Sequence, residues 1–231
     1  MRPRLNKIFI PAAVLAAGYL FYACAAGKPN FFTRHVQYQR ERAKAKIRLI
    51  ELNYLIPSYK SMTAFARGEA GSASVEWDKY MAYYQKVAEL MPRRADVYVF
   101  LGYCYYYQNQ PAQAALFFEK ALMLDPNFFW AYYDLGLMAA QEGDCPVAAG
   151  VFSRGLNIGP QQAVRSMLAS KLYLDIRAET ADFNQVFERH LKAAYGNAAH
   201  LGALAAQCGH GDARAGQDLR AQALKAQIQV F

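Results

Sequence analysis

The sequence predicts an all-α fold: a solenoid of stacked helix hairpins behind an N-terminal transmembrane helix. Three observations lead there. Pro92, Pro126 and Pro160 recur at a spacing of 34 residues, a period that marks repeat architectures. Between these prolines, small and bulky residues return at fixed offsets, as antiparallel helix pairs require. Ahead of them, residues 8–26 form a stretch of nineteen residues without a charge.

In chain order the first element is that uncharged stretch. As a helix rising ~1.5 Å per residue it would cover about 28 Å, close to the thickness of a bilayer core. Arg2, Arg4 and Lys7 precede it, as in a signal anchor or a secretory signal. The expectation is a retained single-pass anchor in a cell inner membrane with the repeats in the periplasm. Alternatives are a cytoplasmic repeat domain, cleavage near Ala23, Cys24 and Ala25, lipidation at Cys24, or a buried core helix. The formal charge of +8 on 231 residues belongs to this end of the chain: residues 1–48 carry ten Lys/Arg and one acid, and the remainder sixteen against seventeen. That distribution points to the membrane, through residues 8–26 and their basic flanks, and excludes nucleic acid as a partner. Residues 1–27 are therefore the tail and anchor, and residues 28–57 a basic juxtamembrane linker helix.

Repeats are expected over residues 58–195, with the clearest units at 95–128 and 129–162. The first reads Tyr98, Leu101, Gly102, Tyr105, Ala114, Phe118, Ala121, Pro126; the second reads Tyr132, Leu135, Gly136, Ala139, Ala148, Phe152, Gly155, Pro160, each shifted by 34. Small residues let two helices approach, and bulky ones fill the space around them. Asn109-Gln110-Pro111 and Glu142-Gly143-Asp144-Cys145-Pro146 break the helical pattern where a turn is needed. Upstream, Tyr80, Tyr84 and Val87 precede Pro92 at the offsets of a second helix, over residues 74–91, after a shorter helix at 58–68. Downstream, helices are expected over 161–178 and 182–195. Residues 196–231 then fit one short helix and a terminal capping helix. Two hairpins alone expose too much apolar surface at their ends, so neighbours on both sides are required.

These positions resemble the tetratricopeptide-repeat family, of a membrane-anchored bacterial type. The resemblance implies an inner surface built by the first helix of each unit, at positions that fall on Val99, Tyr103, Tyr106, Tyr107, Trp130, Tyr133 and Leu137. Rings with few rotors to freeze make such a surface suited to a peptide or partner helix. The alternative is that these rings are covered by the 31–56 helix or the C-terminal helix of the same chain. Members that grip a C-terminal carboxylate use Lys, Asn and Arg where this chain has Val99, Tyr103 and Asp134, so that ligand is not expected.

No phosphate loop, paired Cys-x-x-Cys, His-Glu-x-x-His or nucleophile elbow occurs. The nearest approach to a metal cluster is His200, Cys208, His210 and Asp212, whose glycine-rich surroundings equally describe a turn. Apart from Cys24, the cysteines Cys104, Cys145 and Cys208 are odd in number, which leaves room for one bridge. No enzyme activity, catalytic residue, metal or cofactor is expected. The function expected is a membrane-tethered protein-interaction scaffold in a cell-envelope assembly, its partners being subunits of a membrane-associated complex. The alternative is a permanent structural subunit whose groove is filled internally.

Overall fold

A computed structural model of the protein describes residues 31–50, 53, 60–61, 75–169 and 183–226. The chain divides into two compact units, residues 1–48 and 49–231. The described part of the first unit, residues 31–48, belongs to α1 (Phe31–Ile50). It is a charged helix with Val36 and Tyr38 exposed and a Lys44–Glu41 ion pair of 2.7 Å along its surface.

The second unit is a succession of helices: α2 (Trp77–Leu90), α3 (Ala95–Tyr107), α4 (Pro111–Leu124), α5 (Phe129–Glu142), α6 (Cys145–Leu156), α7 (Pro160–Ala169), α8 (Phe183–Gly209) and α9 (Ala213–Lys225). α3 pairs with α4 and α5 with α6, giving two hairpins in series joined by the packing of α4 on α5; α2 packs on α3. The all-α hairpin solenoid is thus present. Each hairpin turns where the residues permit a left-handed backbone: Asn109 has φ 60° and Gly143 φ 83°. Pro111 opens α4 at a position where its missing N–H is harmless. Asp144 caps α6 by accepting from the Val147 N–H at 3.1 Å.

The repeat is enforced by contact. A Cβ on Gly102 would lie 2.5 Å from a ring carbon of Phe118, and one on Gly136 would lie 2.6 Å from the same atom of Phe152. Glycine is therefore what lets each first helix close on its partner with a phenylalanine between them. Gly102, Phe118, Gly136 and Phe152 are all buried.

Beyond α6 the chain departs from the expected pattern. The sequence predicts one helix ending at 195 and a separate short helix after it, whereas α8 runs unbroken from Phe183 to Gly209 for 27 residues. Phe187, Leu191, Ala194, Ala198, Leu201 and Ala205, spaced by three and four, are all buried, and the alanine-rich sequence favours helix throughout. α8 lies along α6, α9 packs on α5, and α8 and α9 pack on each other. A disulfide between Cys145 and Cys208 joins the start of α6 to the end of α8, with Cα atoms 5.8 Å apart. The expected helix over 58–68 and loop over 68–74 lie outside the described residues apart from Lys60 and Ser61, as do residues 170–182.

The membrane-anchored reading is corrected here. Among the described residues no helix is long and apolar enough to cross a membrane. α1 has the length but carries Arg34, Arg40, Glu41, Arg42, Lys44, Lys46 and Arg48, and charge at such density is too costly in hydrocarbon. Residues 8–26, with Cys24, lie outside the described residues. The transmembrane helix, the signal anchor, the membrane as a partner and the single-pass inner-membrane location are therefore withdrawn.

Candidate functional site: the face of the first helices

The residues expected to line an inner groove lie on α3 and α5, and the structure separates them. Val99, Tyr103, Trp130 and Leu137 are fully buried and Tyr133 is 1% exposed. Tyr103 meets Phe100 and Phe118 edge to face. The Trp130 ring N–H points to the Met167 sulfur of α7 at 2.9 Å. Tyr133 receives a hydrogen bond from Asn197 of α8 at 3.4 Å, and its neighbour Phe129 stacks on Tyr195 with centroids 4.0 Å apart. The chain's own α7 and α8 thus occupy the space in front of α5.

Tyr106 and Tyr107, at the end of α3, remain half-buried. They line a cleft of about 360 Å³ with Asn109, Pro111, Met138, Gln141 and Glu142. Their rings stand at 87° with centroids 5.3 Å apart, forming a corner. Trp77 of α2 stacks on Tyr107 at 4.7 Å and holds that wall in place. The Tyr106 hydroxyl donates to Gln141 Oε1 at 2.9 Å, and Gln141 Nε2 donates to the Ala223 carbonyl of α9 at 3.0 Å. One side of the cleft is therefore fixed by three helices.

Sequence reasoning missed Met138, Gln141 and Glu142. Gln141 is the counterpart of Tyr107 at the 34-residue offset, so the period itself carried the signal. Asp134, Met138 and Gln141 share one stripe of α5, and Asp134 is fully buried one turn below Met138. Burial raises the phenol pKa values of Tyr106 and Tyr107 above their usual range, and the charge of Asp134 adds to the rise. Burial likewise pushes Tyr133 up to about 12. These rings are neutral at ordinary pH and offer faces and hydroxyls, not acid–base chemistry.

Chemistry-bearing residues elsewhere have structural duties. Cys208 is in the disulfide, and Asp212 caps α9 by accepting from the Arg214 and Ala215 N–H groups. His200 Nε2 lies 2.7 Å from Gln222 Oε1. Cys104 is buried and its thiol pKa is raised by that burial, which disfavours a thiolate. Among the described residues no three His, Cys, Asp or Glu side chains gather as a metal site would require.

Paired helices with a small-against-aromatic seam and a cleft at the end of the first helices define a helix-hairpin repeat fold. The family model of the tetratricopeptide repeat matches residues 95–128, which span α3, α4 and the connection to α5. Repeats of this kind are typically non-catalytic scaffolds. The search of curated proteins finds no match to the chain.

Proposed function

We propose that this chain is a non-enzymatic scaffold that docks a segment of another protein in the cleft bounded by Tyr106, Tyr107, Pro111, Met138, Gln141 and Glu142. The observation that carries the reading is the selective exposure of this aromatic corner. Five of the seven rings and side chains on the same face are sealed by α7, α8 and neighbouring core residues, while Tyr106 and Tyr107 keep accessible surface beside a preformed cavity. Tyrosine is suited to such a place because its ring supplies contact area with few rotors and its hydroxyl satisfies a polar neighbour. Affinity capture with the full chain, comparing wild type with Tyr106→Ala and Tyr107→Ala, tests it. Loss of the same captured proteins from both variants is expected; identical partner sets would overturn the reading.

A second reading, a permanent subunit of a larger complex, is supported by a separate groove on the second helices. Leu116, Met123 and Val147 are 58%, 77% and 49% exposed, and with Leu122, Tyr132, Leu135 and Val151 they line a groove of about 620 Å³ between α4 and α6. Glu119, Lys120 and Arg154 rim these apolar side chains, the arrangement of a surface that packs against another protein. Sedimentation of the purified chain separates the two: a permanent subunit self-associates or aggregates alone, whereas a docking scaffold stays monodisperse.

A further inference from the structure

The cleft has a chemical preference written into its walls, and naming it rests on the docking reading above. α3 and α5 together hold Asp96, Asp134 and Glu142 and no Lys or Arg. Asp96 is engaged by Arg94 at 2.6 and 3.1 Å. Glu142 stands exposed on the cleft's rim, and Asp134 is buried in the stripe of α5 that leads to Met138 and Gln141. Among the described residues the lining contains one carboxylate, two tyrosine rings set as a corner, and no cation.

Aromatic faces with negative charge nearby attract cations, because the ring quadrupole and the carboxylate act in the same direction. The chain already uses this pairing elsewhere. Lys120 sits 4.3 Å over the ring of Tyr98, and Arg154 sits 5.9 Å over that of Tyr132, the position 34 residues on. We infer that the cleft receives the cationic end of a lysine or arginine side chain presented by the docked protein, held against the aromatic corner that Tyr106 and Tyr107 present to the cleft, with Glu142 as counter-charge. The methylene stem of that side chain lies along Pro111 and the edge of Met138 that lines the cleft.

The test uses the full chain with 13C-methyl-labelled methionine, the Met138 signal being assigned by its absence from Met138→Leu. The probes are N-acetyl-arginine methylamide and its neutral near-isostere N-acetyl-citrulline methylamide. Arginine is expected to move the Met138 methyl signal saturably, with citrulline about 5-fold weaker or more. Glu142→Gln, at an exposed position that leaves the fold intact, is expected to weaken arginine by roughly 3-fold, and added salt to do the same. Equal responses to the two probes, or none at Met138, would overturn the inference. The two readings fail separately: if Tyr106→Ala strips the captured partners while arginine and citrulline prove indistinguishable, docking stands and the cation preference falls, whereas unchanged partner sets overturn docking itself.

Discussion

The hairpins α3–α4 and α5–α6 are built on one plan and end in different circumstances. Both close on a glycine–phenylalanine contact, Gly102 on Phe118 and Gly136 on Phe152, and both carry a tyrosine shielded by a cation, Tyr98 and Tyr132. At the end of the first, Tyr106 and Tyr107 keep a cleft whose other wall is Met138, Gln141 and Glu142 at the end of α5. In front of the second, α7 meets Trp130, α8 meets Tyr133 and Phe129, and α9 lies on α5, with the Cys145–Cys208 bridge fastening α6 to α8. The difference teaches that a repeat's inner surface becomes a site or a core according to what the rest of the chain lays over it. The residue type alone does not decide.

The sharpest break of that comparison is Trp130→Ala against Tyr106→Ala. Removing a fully buried indole is expected to cost about 3–5 kcal/mol, whereas the half-buried Tyr106 should lose roughly 1 kcal/mol with its hydrogen bond to Gln141. Urea titrations of both variants measure it, and comparable losses would erase the distinction between sealed and open halves. Next comes the bridge. Cys145 and Cys208 are separated by 63 residues, for which loop closure is worth about 4 kcal/mol on the chain-entropy model. Reduction, or Cys208→Ser, is expected to lower amide exchange protection in α5, α8 and α9 and to leave α3 and α4 unchanged. Uniform loss across both hairpins would mean that they unfold as one block. The smallest effect concerns the seams themselves. Overpacking by Gly102→Ala or Gly136→Ala should cost about 1–3 kcal/mol. Gly136→Ala should cost more, because Phe152 is also hemmed in by Gly202, where a Cβ would come within 3.2 Å of it. Equal midpoints in thermal melts would show that Phe152 has as much room to retreat as Phe118.

Much of the hairpin region was legible beforehand because its rules are local. Proline and glycine positions, Asn109, and the 34-residue recurrence of small and aromatic residues place the helices and turns over residues 95–156 without knowledge of what surrounds them. The unbroken α8 was misread near residue 196, since Gly196 and Asn197 look like punctuation in isolation. They are tolerated in a helix that buries Phe187 through Ala205 along one stripe, where packing outweighs propensity. In the cleft, Tyr106 and Tyr107 belong to the surface that the repeat pattern predicts, whereas Gln141 and Glu142 join them only because the ends of α3 and α5 meet there. The membrane-spanning helix expected over residues 8–26 is the reading that did not survive, for no helix among the described residues has the length and apolarity to cross a bilayer.

What the amino-acid order determined by itself is the period: which residues are small enough for helices to touch and where each helix must stop. Those are decided by backbone sterics and side-chain volume within one unit. What only the tertiary structure decided is exposure. Trp130 and Tyr106 are aromatic residues on equivalent helices, and one became core because α7 settled on it while the other kept a cavity beside it. Burial is a relation between segments far apart in the chain, and a repeat pattern contains no record of its neighbours.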